Sequence, residues 1–345
     1  VSRHKVSIVG LGAMGARHAR VFASLPDRFQ VVGGYDARAD APMPEGIARL
    51  GSESEAIDRA DVVVIATPIE THEVLVASAL AAGRHVLVEK PLCATATEAY
   101  ALSAAARPHA MLFVGHSERF NPVVRTLARF ARAERILVID FLRVGPSRPN
   151  DWGVLLNLGV HDLDLAGYLG RGEVRVRGGV GAGAGAGAGA GVGGGAGAGG
   201  GGGAGEDLAH VLFSTDGGGV GHVYVDRTVP TRQRTVRLVT PRWIYEGDLL
   251  AQRLARTPAA SGAARGARTE VPLPLEEPLA AQAKALADAL DGGPVREIAT
   301  GTDGARAVAL VESATALCAA ASGHRDAWES GFRETRETSG DGRSR

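Results

Sequence analysis

The chain has 345 residues, 45% of them hydrophobic, with 38 basic and 38 acidic side chains and so no formal net charge. That suits two domains with real cores and lacks the basic excess of a nucleic-acid binder. Two cysteines, Cys93 and Cys318, cannot build a disulfide framework; the start runs straight into a strand-like segment with no room for a signal peptide, and no apolar run approaches the ~20 residues that span a bilayer, so a soluble, cytoplasmic chain without membrane partner is expected.

Val6 to Gly10 reads as a buried strand and Ala13 to Leu25 as a helix stopped by Pro26. A second strand, Phe29 to Tyr35, ends at Asp36. Residues 62–66 form an apolar run expected of a central parallel strand. Thr71 to Ala82 reads as a helix closed by Gly83, Val86 to Val88 as a strand, and Thr95-x-x-Glu98 as a capping box before a helix to Arg107. Met111 to Gly115 is a further strand. Strands alternating with helices predict a doubly wound parallel sheet over 1–120.

Past Phe120 the pattern changes. A helix at Val123 to Arg132 precedes a strand at Ile136 to Val144, and another helix is expected from Leu155 to Leu169. Strands then dominate: Val174 to Arg177, Leu208 to Phe213, Val220 to Asp226, Thr235 to Val239 and Trp243 to Gly247. Their period-two alternation fits an open, mostly antiparallel sheet. Helices return at Pro278 to Leu290 and Thr302 to Ala321, giving a second α/β domain over 121–325 and a frayed tail over 326–345. Of 48 glycines, 18 lie between Gly178 and Gly205 among alanine and valine only, which predicts a disordered insertion in a strand-to-strand loop.

Gly10-Leu11-Gly12-Ala13-Met14-Gly15 places G-x-G-x-x-G between a strand and a helix. Such a turn lets backbone approach a pyrophosphate at a helix N-terminus. Asp36, ending the next strand, has the place of a ribose-binding carboxylate and favours NAD, while nearby Arg38 leaves NADP open. Thr67-Pro68 and Glu89-Lys90-Pro91 follow the next two strands at the edge where such sheets bind ligands. Lysine is scarce, occurring only as Lys5, Lys90 and Lys284. A desolvated lysine at that edge can exchange a proton with a substrate hydroxyl, whereas the plain alternative is a solvated loop residue. His161 and Asp164 share a helical face, but two ligands do not make a metal site, and no metal is expected. Arg143, Arg227, Arg232 and Arg234 could grip a diphosphate or simply be surface charge.

Together these elements resemble the Gfo/Idh/MocA family: the glycine turn, Thr-Pro-x-x-x-His ending at His72, the run from Gly83 to Leu92, Gly115 to Pro122 and Gly159 to Asp164. The resemblance implies a Rossmann domain followed by an open-sheet domain carrying the substrate and often an oligomer interface, here a homodimer or homotetramer. It implies Lys90 and His161 as catalytic residues, and Asn157 as a substrate contact where the family commonly has aspartate. It places Thr67, Pro68, His72, Glu89, Lys90, His116 and Arg119 beside the cofactor, with Lys90 and Arg119 also reaching substrate. The function implied is NAD(P)-dependent oxidation of a secondary alcohol on a sugar, most of all a nucleotide sugar, since Glu118-Arg119-Phe120-Asn121-Pro122 looks like members acting on nucleotide-linked amino sugars. The alternatives are a cyclitol dehydrogenase and a catalytically silent NAD- or sugar-sensing regulator.

Overall fold

The computed structural model describes residues 3–146, 152–183, 205–259 and 266–338, with side chains described to residue 321. Most of the Gly/Ala tract, 184–204, lies outside the described residues, as do residues 339–345 of the expected tail.

The first layer alternates as expected: β1 (His4–Val9), α1 (Ala13–Ala23), β2 (Phe29–Tyr35), α2 (Glu53–Asp58), β3 (Val62–Ile65), α3 (His72–Ala81), β4 (His85–Val88), α4 (Ala96–Ala105) and β5 (Leu112–Val114). Local sequence explains the boundaries. Ser52 caps α2, Gly83 follows α3 at φ +71°, and Thr95 and Glu98 form the reciprocal capping box of α4. Strands β1 to β5 pair in parallel, with β1 between β3 and β2. The strand order reverses at β1/β3, opening the crevice outside their carboxyl ends.

The second part follows as α5 (Pro122–Ala133), β6 (Val138–Val144), α6 (Val160–Gly170), β7 (Val174–Ala182), β8 (Leu208–Thr215), β9 (Val220–Asp226), β10 (Gln233–Val239), β11 (Trp243–Asp248), β12 (Arg253–Pro258) and β13 (Thr269–Glu270). The sheet order is β13-β12-β11-β10-β6-β9-β8-β7, antiparallel except for the β6–β9 pair. Phe141, Val211, Phe213, Val223, Val236 and Leu238 pack from its inner face against Leu127 of α5 and Leu163 and Leu169 of α6.

The chain then returns to the first sheet through α7 (Pro278–Leu290), β14 (Ala299–Thr300) and α8 (Gly301–Thr338). β14 pairs antiparallel with β5, and Leu279, Leu286 and Ala287 of α7 join Val6, Ile8 and Phe22 in one core. This corrects the assignment of all of 121–325 to a second domain. The parallel sheet needs a cover on both faces, and α7 supplies part of one from far along the chain.

Three further expectations give way. Gly178 to Ala182 are not part of a disordered loop but continue β7, paired with Leu208 to Leu212. A Cβ on Gly179 would lie 2.9 Å from Cys318 Sγ, so glycine there lets α8 approach the strand. The helix itself runs to Thr338, past the Ala321 where its apolar pattern ends, because propagating an established helix needs only one hydrogen bond per added residue. Within it Gly301–Ala321 is long and apolar enough to span a bilayer, contrary to the sequence reading. It is a core helix here: Ala305 and Val308 join the first-sheet core, and Ala307, Val311, Ala314 and Cys318 the second.

Candidate active site

At the end of β1 the chain turns through Gly10 at φ +88°, where a Cβ would meet Ala66 O at 2.7 Å. A Cβ on Gly15 would lie 1.8 Å from Gly10 O, so α1 can sit this close to the strand only with glycine there. Around Gly12, by contrast, nothing lies within 4 Å of a built Cβ. α1 begins at Ala13 and Met14 with no side-chain cap and no acidic residue in its first turn. Its N–H donors therefore point, unclaimed by any side chain, at open space, which is what a pyrophosphate requires. Asp36 braces this turn by accepting from Leu11 N at 2.8 Å. Arg38 approaches both Asp36 oxygens, at 3.2 and 3.4 Å. Burial pulls the Asp36 carboxyl upward, but the hydrogen bonds from Arg38 and Leu11 outweigh it and hold it below its ordinary value.

Thr67 and Pro68 follow β3 on the same edge, and Thr71 donates to Thr67 Oγ1 at 2.7 Å. His72 is buried, with Nε2 3.0 Å from Thr67 O and Nδ1 3.0 Å from Pro91 O. Both ring nitrogens hold the loops after β3 and β4 together. The expected direct role of His72 at the cofactor gives way to a supporting one, because no ring nitrogen is left for a ligand. Glu89 likewise turns inward to His18 of α1, 2.7 Å away, rather than to the crevice. Burial raises the Glu89 pKa, but His18 and the Lys90 charge outweigh it and keep the carboxylate ionised.

Lys90 lies where β4 meets the second domain. Its Nζ donates to Asn157 O at 2.8 Å. Burial, with the charges of Arg143 and Arg234, pulls its pKa from 10.5 to about 8 against the opposing pull of Glu89 and Glu118. Asn157 belongs to a wide π-type turn, Leu155–Gly159, preceding α6. The helix expected from Leu155 therefore opens with this wider turn, and regular α-helix begins only at Val160. The wider turn brings the backbone carbonyl of Asn157 to the ammonium, while its side-chain amide makes no hydrogen bond among the described residues. His161 opens α6, and its pKa falls well below 6.5 through burial and then the nearby charges of Lys90 and Arg143. It is a neutral imidazole at physiological pH, and its Nδ1 is buried without a hydrogen-bond partner among the described residues.

The two aspartates after His161 explain the His-Asp-x-Asp run better than a metal does. Asp162 receives a two-pronged hydrogen bond from Arg143, at 2.9 and 2.7 Å, and Asp164 one from Arg119, at 2.8 and 2.5 Å. Each pair is buried. The start of α6 is thereby fastened on two sides, which fixes the direction of His161. Sequence reasoning gave neither aspartate a role; the signal available was their spacing around the histidine and the presence of two arginines whose partners lay far off in sequence. Arg143, read as a diphosphate fork, is 2% exposed and held by Asp162 and Glu118. Arg227 is held by Asp207 at 2.6 Å. Arg234 is the half-open member of the set, pairing with Glu118 at 2.9 Å beside Lys90. Arg232 instead packs its aliphatic stem over Gly145. Arg119 is buried on Asp164 with its guanidinium 5.1 Å from the Tyr168 ring, and His116 lies 3.6 Å from Asp164 and edge-on to His161. Arg119 is thus committed to Asp164, whereas both ring nitrogens of His116 are buried with no hydrogen-bond partner among the described residues. Lys90, Asn157 and His161 are brought together where the loop after β4 meets the start of α6.

Comparisons with known proteins bear on the family and the fold. Residues 4–116 match the GFO_IDH_MocA model, an oxidoreductase family with an NAD-binding Rossmann fold. UDP-N-acetylglucosamine 3-dehydrogenase of Acidithiobacillus ferrooxidans is 32% identical over 170 residues, 47% of this chain and 52% of that protein. Inositol 2-dehydrogenase 1 of Saccharopolyspora erythraea is 34% identical over 128 residues, 34% of this chain and 38% of that protein. The chain thus spans about half or less of the curated relatives it matches. In structure, the Acidithiobacillus enzyme superposes with a TM-score of 0.78 at 25% identity, covering 93% of this chain and 99% of that one. GenD2 from gentamicin A biosynthesis, solved in complex with NAD, gives 0.73 at 25% identity over 92% and 95%. With the glycine turn, the reversed strand order and the sequence match all falling on the same residues, the N-terminal part matches the NAD-binding Rossmann fold of the Gfo/Idh/MocA oxidoreductase family, and the chain as a whole shares the fold of the Acidithiobacillus enzyme.

Proposed function

We propose that the chain is an NAD-dependent dehydrogenase that oxidises a secondary alcohol of a sugar, most of all a nucleotide sugar, to a ketone in a reversible reaction. The observation that carries this reading is a lysine with its pKa brought to about 8, set beside a neutral histidine in a chain whose first sheet carries a dinucleotide turn. The residues present fit the cofactor: bare backbone at Gly12 and the uncapped first turn of α1 would hold the pyrophosphate, and Asp36 the adenosine ribose. When bound, the nicotinamide supplies a hydride acceptor or donor at its C4.

The chain's own groups manage the proton and the pose. In its neutral form Lys90 takes the hydroxyl proton as the carbon–hydrogen bond breaks, and as ammonium it returns that proton in the reverse direction. His161, neutral and held by the braced α6, bonds the same or the adjacent hydroxyl. The Asn157 amide is open to a further substrate hydroxyl. Arg234, half exposed beside the lysine, is the group best placed to meet an acidic substituent, which favours a nucleotide sugar over a neutral cyclitol. Asp36, with Arg38 tied to it, favours NAD over NADP. A cytoplasmic homodimer or homotetramer is the accompanying assembly reading.

The test is NADH formation across a panel of UDP-linked amino sugars, free sugars and inositols. Turnover highest on the nucleotide sugars is expected. Turnover confined to inositols would shift the reading to a cyclitol dehydrogenase, and NAD binding without turnover on any member to a silent sensor.

A further inference from the structure

A second cavity, of about 760 Å³, opens between α6, α8 and the segment before β14, and neither Lys90 nor His161 lines it. Its floor is Arg119, buried on Asp164, with Tyr168 beside it. Around it stand Arg171, Arg296 and Arg306. None of these three has a carboxylate partner among the described residues: Arg171 donates only to the Arg132 carbonyl, at 3.2 Å, and Arg296 and Arg306 make no hydrogen bond or ion pair. The carboxylates that line the same space are already engaged. Asp164 holds Arg119, Asp303 accepts from Thr300 at 2.9 and 2.8 Å, and Glu173 pairs with Arg175 at 3.3 Å. Three guanidiniums therefore converge on one concavity with their charges unmatched. Arg119 Nη1 faces the same region and pairs with Asp303 Oδ2 at 3.6 Å. Arg171 is also one of two non-glycine residues in the left-handed region among the described residues, at φ 57°, closing α6 where glycine would be relaxed. Strain retained at a residue lining a charged cavity is a mark of a binding site.

We propose that this cavity binds a small anion carrying two or more negative charges, a phosphate ester or a di- or tricarboxylate, gripped by Arg171, Arg296 and Arg306 above the Arg119–Asp164 floor. Guanidinium forks match the oxygens of both classes, and several of them around a half-enclosed space discriminate against monovalent ions. The site does not depend on the dehydrogenase reading, although its floor is one ion pair away from His116.

The experiment is titration calorimetry of the full chain with inorganic pyrophosphate and, separately, with citrate, which distinguishes the two anion classes. It is repeated on Arg296→Gln/Arg306→Gln, both exposed and so neutral to folding, and on Gly12→Asp, whose carboxylate turns anions away from the glycine turn. Saturable binding weakened about tenfold or more in the double variant and retained in Gly12→Asp is expected. No saturable binding of either anion at millimolar concentration would overturn the proposal. So would binding that survives in the double variant and disappears in Gly12→Asp.

Discussion

Replacing Lys90 by methionine tests the proton-transfer reading and its electrostatic origin in one experiment. In the folded chain the amine titrates near 8 instead of 10.5, since burial and the Arg143 and Arg234 charges outweigh Glu89 and Glu118. The unfolded chain therefore binds more protons than the folded one between those values, and wild-type stability rises with pH across that window and is lowest below about 8. The displacement corresponds to about 3 kcal/mol. Methionine has similar length and no charge, so the variant lacks this dependence. Urea denaturation of both proteins at neutral pH and above 10.5 should show wild type gaining about 3 kcal/mol on the variant between the two conditions. In turnover, wild-type alcohol oxidation should rise with pH and level off above about 8, as the amine becomes available as a base. The variant should lose about 10²- to 10⁴-fold in kcat with NAD binding kept. A loss under about tenfold, or a stability difference that does not change with pH, would refute the reasoning.

Three other perturbations probe the frame around the lysine. Gly12→Ala should leave stability within about 0.5 kcal/mol, since the methyl meets nothing, yet weaken NAD binding; Gly15→Ala should unfold the chain by driving a methyl into Gly10 O, and thermal melts with NAD titration separate the two. Asp36→Asn keeps an acceptor for Leu11 N while removing the charge, so the ratio of NADP to NAD affinity should rise about tenfold or more; an unchanged ratio would show that the carboxylate does not read the ribose. Arg119→Met or Asp164→Leu alone strands a buried charge and should cost about 3–5 kcal/mol in urea unfolding, whereas the double variant recovers much of it. Equal losses in all three would mean that packing, not charge pairing, sets the cost.

The parallel sheet and the cofactor turn were legible in the sequence because their causes are local. Apolar runs of strand length, the Thr95–Glu98 capping box and the spacing of Gly10, Gly12 and Gly15 each act within a few residues, and each formed where expected. Lys90 could be singled out because the residues next to it, Glu89 and Pro91, mark the end of a strand. Its pKa could not be read in the same way, since it is set first by burial and then by the charges of Arg143 and Arg234, which come from β6 and β10.

What only the tertiary structure decided are relations between distant segments. That α7 and β14 return to the first sheet follows from its need for cover, which no local pattern records. The glycines from Gly178 to Ala182 read as a loop because glycine resists ordering; a waiting partner strand and a close helix order them. His72, His116, Arg119 and Arg143 are polar residues in motif positions, and sequence alone makes each a ligand contact. Folding buries them, and a buried polar group takes whichever partner tertiary packing brings within reach: a carbonyl across a loop for His72, and an aspartate on α6 for each arginine. The sequence thus determined which residues stand at the cofactor edge, through local geometry. The choice between touching a ligand and holding its neighbour in place fell to packing, because charge and hydrogen bonding act across space and not along the chain.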